Sequence, residues 1–351
     1  MYCTRWLQAS QTAKRMLSTN CVVMKEPVWA TDPYLAMLSS PLRRCKISLR
    51  IMPRDMLISL SVAKAPDSLA STSPIDNRPP KLHIVPNKLG HPYYDPGHLG
   101  PSSYILCSRP FLNAVLARPL AAQEAKRLSY GAELTSTLPL RLTHELRVRV
   151  EQELTQLWRR HRASPHKATQ RPAWLLRRLS QAEAGHIATR LPQESPDDMA
   201  ALISLDSSDL RTHFGAHMDA DAYSSLRPTR AATELPRRRL PIYDLGGLFT
   251  ERFAGSPGAD VFNSEAQSVQ RTISRRLAAI EEGLISRNVL SRKPSHRLTS
   301  VYALASHQTE LVPLLVALWR CRLWEGEGWQ SGDGFGIEKA RFDLVVPASN
   351  S

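Results

Sequence analysis

No acidic side chain occurs between Met1 and Lys25, a stretch that carries Arg5, Lys14, Arg15 and Lys25 among several Ser and Thr. The same stretch lacks an uninterrupted apolar run of about seven residues, which excludes a secretory signal. A cationic, hydroxyl-rich, acid-poor N-terminus is the composition that mitochondrial import selects, so the sequence predicts a mitochondrial location, in the matrix or at the matrix face of the inner membrane. A second basic block, Arg43, Arg44, Lys46, Arg50 and Arg54, reads as a continuation of this leader. The plainer alternatives are a disordered basic tail or a misplaced start codon, since Met16, Met24, Met37, Met52 and Met56 crowd the region.

Cysteine is scarce. The five residues Cys3, Cys21, Cys45, Cys107 and Cys321 are odd in number and contain no CxxC pair. That excludes a zinc ribbon and favours a reducing compartment over a disulfide framework. Long apolar runs are missing too: the longest, Leu311 to Trp319, has nine residues and meets Arg320 and Arg322, well short of the roughly 20 that span a bilayer. It predicts a helix buried within the protein.

Catalytic signatures are equally wanting. Gly255-Ser256-Pro257-Gly258 lacks the spacing of a nucleophile elbow, and no Walker loop occurs. Asp244-Leu245-Gly246-Gly247 lacks the glycine spacing of a dinucleotide site, and Gly332, Gly334 and Gly336 are not followed by a glycine at the distance a phosphate loop needs. His213, His217, Asp219 and Asp221 have ligand-like spacing, but Phe214-Gly215 stands where a zinc protease needs its Glu. Surface histidines are the better reading, and neither metal nor cofactor is expected.

What is present is ordinary globular material: 351 residues, 42% apolar and 22% charged. Residues 65 to 80 (APDSLASTSPIDNRPP) have linker chemistry, so residues 1–80 read as leader and linker, with folding from about Lys81. Residues 81–210 read as a helical domain, 211–239 as an exposed connection, and 240–351 as a C-terminal helical part that packs with the first or stands beside it.

Leu82 to Val85 reads as a short strand, and Ser108 before Arg109-Pro110 as a capped helix start. Leu142, Leu146, Val150, Leu154 and Leu157 recur at helical spacing and predict a helix over about 142–161. A second helix is expected from Pro172 to Leu191, forming a hairpin with the first, and a third from the Ser195-Pro196-Asp197-Asp198 start to about Leu205. Ser264 to Gln267 matches a capping box ahead of the apolar stripe Val269, Ile273, Leu277, Ile280 and Leu284. Thr309 reads as the cap of a last helix, ending near Trp324, and Arg341 to Val346 as a strand. The expected fold is mainly α with a few short strands, an irregular helical domain after a disordered basic leader.

The formal +14 is unevenly spread. Residues 1–80 hold +6, residues 141–180 hold +7 and 271–297 hold +5, while 181–270 hold −5. The whole-chain charge is therefore weak ground for a nucleic-acid partner, and local stretches must carry the argument. Arg159 to Arg178 has seven Lys or Arg and no acid, with Trp158 and Trp174 at its ends. Guanidinium forks pair with phosphate oxygens and indole faces stack on bases. Arg159, Arg160, Arg162, Lys167, Arg171, Trp174, Arg177 and Arg178 are the candidate RNA-binding residues, weighed against a solvated helical hairpin with core tryptophans. Arg271 to Arg297 extends the same character.

Two weaker candidates remain: the loop Lys88 to Pro101, where His91, Asp95 and His98 with Tyr93 and Tyr94 read as an acid–base or ligand cluster, and the Trp319, Trp324 and Trp329 segment as a partner surface against its default as core. The leading expectation is a non-catalytic matrix protein contacting RNA or the mitochondrial ribosome in support of mitochondrial gene expression. Alternatives are a protein-binding assembly or maintenance factor at the inner membrane, touching lipid peripherally, and an enzyme without a recognisable motif.

Overall fold

The computed structural model describes residues 28–64, 82–94, 100–117, 137–163, 174–190, 198–214, 240–246, 259–286, 298–306 and 308–326. Lys167, Arg171, Asp95, His98, His217, Asp219, Asp221, Trp329, the 65–80 linker and the Arg341 to Val346 strand lie outside them.

In chain order the described elements are α1 (Pro33–Leu38), β1 (Leu42–Arg44), β2 (Ile51–Pro53), β3 (Leu57–Lys64), β4 (Leu82–Pro86), β5 (Ser103–Leu106), α2 (Arg109–Leu116), α3 (Leu138–Ala163), β6 (Leu176–Ser180), α4 (Gln181–Arg190), β7 (Met199–Ser204), α5 (Ser207–Phe214), β8 (Ile242–Asp244), α6 (Ala259–Ser286), β9 (Leu298–Ala305) and α7 (Val312–Trp324). They make sheets of two, three and four strands with seven helices, 56% helix and 25% strand over the described residues, a mixed α/β architecture. The expectation of a mainly α protein with few strands is thereby corrected. So is the picture of a disordered leader ahead of a helical domain, because Leu57–Lys64 is the central strand of the three-stranded sheet β4–β3–β5.

The four-stranded sheet has the order β6–β9–β7–β8. β9 runs antiparallel to both β6 and β7, and β7 runs parallel to β8. Thus β6, β7 and β8 share one direction, each followed by a helix, and the last strand inserts between the first two. Side chains alternate across β9: Tyr302 and Leu304 join the main core under α3 and α6, whereas Val301 and Ala303 join a second core. In that second core Ala184, Ile187 and Ala188 of α4 and Leu210 and Phe214 of α5 cover Leu179, Met199, Leu202 and Ile242. The sheet is buried on both faces, the arrangement in which strands read as near-continuous apolar runs.

That burial explains two misread segments. Met199–Ser204, expected as the body of a helix, is the inner strand β7; its short apolar run is equally compatible with helix and strand, and pairing on both edges decides. Leu176–Ser180, expected inside the second helix of a hairpin, is strand β6 paired to β9. Its helix begins only at Gln181, where the Ser180 Oγ accepts from the Glu183 N–H at 3.3 Å and Glu183 Oε2 accepts from the Ser180 N–H at 3.0 Å. Ser180-Gln181-Ala182-Glu183 is a capping box, the overlooked signal for where the helix starts.

Other local readings match what is present. Ser108 Oγ accepts from the Phe111 N–H at the start of α2, the 142–161 periodicity lies within α3, and β4 stands where the short strand is expected. α6 starts five residues before Ser264, which is an interior position rather than a cap, and Thr309 opens a short 3₁₀ turn leading into α7.

α3 is the axis of the molecule. Leu142, Leu146, Val150, Leu154 and Leu157 are all buried, and α3 meets α6, α7 and β4. Its contacts with α6 advance together, His144 with Glu265 at 3.4 Å and His161 against Gly283, so the two helices run parallel.

Gly246, just beyond β8, shows how closely the sheet end is packed. A Cβ there would lie 2.8 Å from the Leu205 carbonyl oxygen and 3.1 Å from the Ser207 nitrogen, both backbone atoms of the β7–α5 turn. Gly246→Ala is expected to lower stability by about 1–3 kcal/mol through overpacking, read as a fall in the urea midpoint.

Candidate nucleic-acid interface

The basic end of α3 is placed by the loop that follows β4. Asn87 ties the loop to the sheet, its side-chain amide donating to Ser61 Oγ at 2.6 Å and Ser102 Oγ at 2.9 Å while its N–H bonds the Ser59 carbonyl. Lys88 follows with φ 57°, a left-handed turn that an L residue rarely adopts. α3 then grips the loop: Arg149 donates to the Gly90 carbonyl, and Gln152 Oε1 accepts from the His91 N–H at 2.7 Å.

These bonds put the two loop tyrosines beside the helix end. The Arg159 guanidinium lies 5.4 Å from the ring centroid of Tyr93 and 5.5 Å from that of Tyr94, and the rings meet edge to face at 5.1 Å. Tyr93 is 68% exposed, and Arg159, Arg160 and Arg162 are exposed as well. Arg162 sits 5.5 Å over Trp158, whose ring also receives Arg276 from α6 at 4.3 Å. Each cation thus faces a negative ring surface, a geometry that orients guanidinium groups without neutralising them.

His91 sits between the loop and α3, its N–H bonded to Gln152 and its ring facing Glu153. Burial holds its pKa below the ordinary range, with Glu153 opposing and Arg149 and Arg160 adding to the shift. Its Nδ1 accepts from the Tyr93 N–H at 3.0 Å, and its Nε2 stands 4.0 Å from Glu153, which is itself paired to Arg149 at 2.6 Å. Through Nδ1 the ring holds Tyr93 in place.

Comparison with family models, curated proteins and solved structures returns no match. Residues alone must therefore define the site.

The remaining candidates fall into two groups. Arg177 stacks 5.1 Å over Trp174 and pairs with Glu183 at 2.8 Å. Burial pushes Glu183 up, but the Ser180 N–H and the Arg177 guanidinium outweigh it and hold the carboxyl below its usual range. Arg178 donates to the Thr299 carbonyl and lies 5.8 Å from Tyr302. These two arginines, with half-buried Trp174 packed against both cores, are tied into the sheet. Yet they are near the helix end: α6 touches His161 at Gly283 and receives the Arg178 N–H at Glu281, so its last turns lie between the two groups.

Tyr93 and Tyr94 figure in the sequence only as part of a competing enzyme loop. Their link to Arg159 spans a separation of more than sixty residues and leaves no local trace. Among the described residues no group of three or more His, Cys, Asp or Glu is placed to hold a metal ion, and His213 closes α5. Trp324 is buried and Trp319 nearly so, as core rather than partner surface. No helix among the described residues is long and apolar enough to cross a membrane.

Proposed function

We propose that the protein contacts single-stranded RNA in the mitochondrial matrix, alone or on the mitochondrial ribosome, through the exposed end of α3 and the tyrosine loop. The observation that carries this reading is the Arg159 guanidinium laid over Tyr93 and Tyr94 with Arg160 and Arg162 beside it. Cations at this spacing neutralise backbone phosphates, and a mostly exposed tyrosine beside them offers a face on which an unpaired base stacks. Arg177 and Arg178, occupied by protein partners, contribute field rather than direct forks.

The test is fluorescence anisotropy with a labelled uridine oligonucleotide across a salt series. Replacing Arg159, Arg160 and Arg162 together with Glu is expected to weaken binding at least about tenfold and to lower the salt slope by about 2, since each lost phosphate contact on a single strand removes about 0.7. Tyr93→Ala is expected to cost about 1–3 kcal/mol of affinity with the slope unchanged, the mark of lost stacking. Binding that ignores salt, or a triple variant that binds like the parent, overturns the proposal.

A further inference from the structure

We propose that α1 and the β1–β2 hairpin form a docking face for an anionic lipid bilayer. Six of the eight large apolar side chains exposed among the described residues lie here: Tyr34, Leu35, Leu38, Leu42, Leu49 and Ile51. The two flanking the hairpin are among the most open, Leu42 at 60% and Ile51 at 68%. Arg43, Arg44, Lys46 and Arg50 are exposed alongside them, and no acid occurs from Pro33 to Arg54, which itself pairs with Asp55 at 3.7 Å.

The patch is held firmly. Register pairs Leu42 with Pro53, Arg43 with Met52 and Arg44 with Ile51. Met52 is buried, so the face bearing Leu42, Arg44 and Ile51 is the one turned away from the core. Leu49 sits at φ 59° in the connection between the strands, where Arg44 Nε donates to its carbonyl at 3.2 Å. Beneath, buried Cys45 bonds through its N–H to the Arg50 carbonyl, and the Lys46 N–H bonds the Tyr104 carbonyl, fastening the hairpin to the lead of β5. Met37 anchors α1 in the same core, and Tyr34 rests edge-on against Trp319 at 4.5 Å.

Charge and apolar groups alternate along this face, and that alternation selects the occupant. A protein interface concentrates its apolar residues and depletes charge at the centre. RNA would engage the cations but leave the aliphatic side chains in water. At a bilayer surface both are satisfied, because Leu and Ile enter the acyl boundary while Arg and Lys stems lie along it and their heads reach lipid phosphates. Residues 1–25 contain no acid, so that segment brings no counter-charge to the patch.

The full chain is tested by co-sedimentation with vesicles of phosphatidylcholine alone and of equal parts phosphatidylcholine and phosphatidylserine. Binding to the anionic vesicles is expected, with little to the neutral ones. Leu42→Ser, Leu49→Ser and Ile51→Ser combined should cut partitioning at least about tenfold, the scale of one buried aliphatic side chain, while leaving RNA affinity and the thermal transition unchanged. These exposed substitutions keep every positive charge, so undiminished binding would mean capture by charge alone, with no entry of this face into the acyl boundary, and would overturn the proposal. As an independent readout, Leu49→Trp should gain quenching by lipids brominated on their acyl chains; no added quenching counts against it. A lipid-free protein whose mass falls from dimer to monomer in the triple-serine variant, with vesicle binding retained, would make the face a contact between copies and also overturn it.

Discussion

Replacing Phe214 with Ala is expected to cost about 3–5 kcal/mol, the range for deleting a buried aromatic side chain and leaving a cavity. Phe214 is fully buried at the end of α5, in the second core beneath the four-stranded sheet. The core around it is built from Ala184, Ile187 and Ala188 of α4, Leu210 of α5, Met199 and Leu202 of β7 and Val301 and Ala303 of β9. Against a total stability of about 5–15 kcal/mol this is a large fraction. The measurement is a urea titration, in which the midpoint should fall with an unchanged slope. Arg211→Ala and Thr212→Ala, on the exposed side of the same helix, should move stability by no more than about 0.5 kcal/mol. A Phe214→Ala loss as small as these would mean that α5 does not close the sheet.

Phe214 also marks where sequence reading falls short. In sequence it stands out only as the residue that spoils a zinc-protease pattern, because the residues around it have no clean period. Elements whose stability is local or one-sided are legible: α3 by its leucine spacing, α2 by its Ser108 cap, α6 by its Val269 to Leu284 stripe. Strands buried on both faces are not. β7 reads Met-Ala-Ala-Leu-Ile-Ser, good helix formers by propensity, and is a strand because β9 and β8 satisfy its backbone on either side. β9, Leu298–Ala305, carries the β-branched and aromatic residues of a strand, and its place between β6 and β7 depends on partners more than ninety residues away. In β7 tertiary pairing overrides the local preference; in β9 it decides the neighbours.

The candidate site divides the same way. Arg159, Arg160 and Arg162 are legible because a charge run survives in one dimension. Their aromatic half is not, since Tyr93 and Tyr94 reach Arg159 only through the grip of Arg149 and Gln152 on the loop backbone. Conversely Arg177 and Arg178, inseparable from the others in sequence, are set apart by folding: a strand between two helices turns them onto Trp174, Glu183 and Thr299. The basic block Arg43 to Arg54 reads as leader because it follows the acid-poor N-terminus and shares its charge; in the structure it belongs to a hairpin with Leu42, Leu49 and Ile51.

Trp324→Ala is expected to cost about 3–5 kcal/mol, and its cause can be divided between volume and one hydrogen bond. Trp324 is nearly fully buried at the end of α7, and its indole Nε1 donates to Thr143 Oγ1 of α3 at 2.8 Å. The Thr143 hydroxyl donates in turn to the Pro139 carbonyl at 2.9 Å, so one hydroxyl serves both helices. Thr143→Val keeps the shape but strands a buried indole N–H, which costs about 1–3 kcal/mol. Trp324→Phe removes the donor and part of the volume. Once the indole is gone, Thr143→Val deprives only the Pro139 carbonyl of a partner, so the double variant should be more stable than the sum of the singles by about 0.5–3 kcal/mol. Strict additivity in urea unfolding would show that the Trp324–Thr143 bond contributes nothing to holding α7 on α3, leaving that to the packing of Leu146, Leu315 and Leu318 and to the Cys321 thiol on the Leu146 carbonyl.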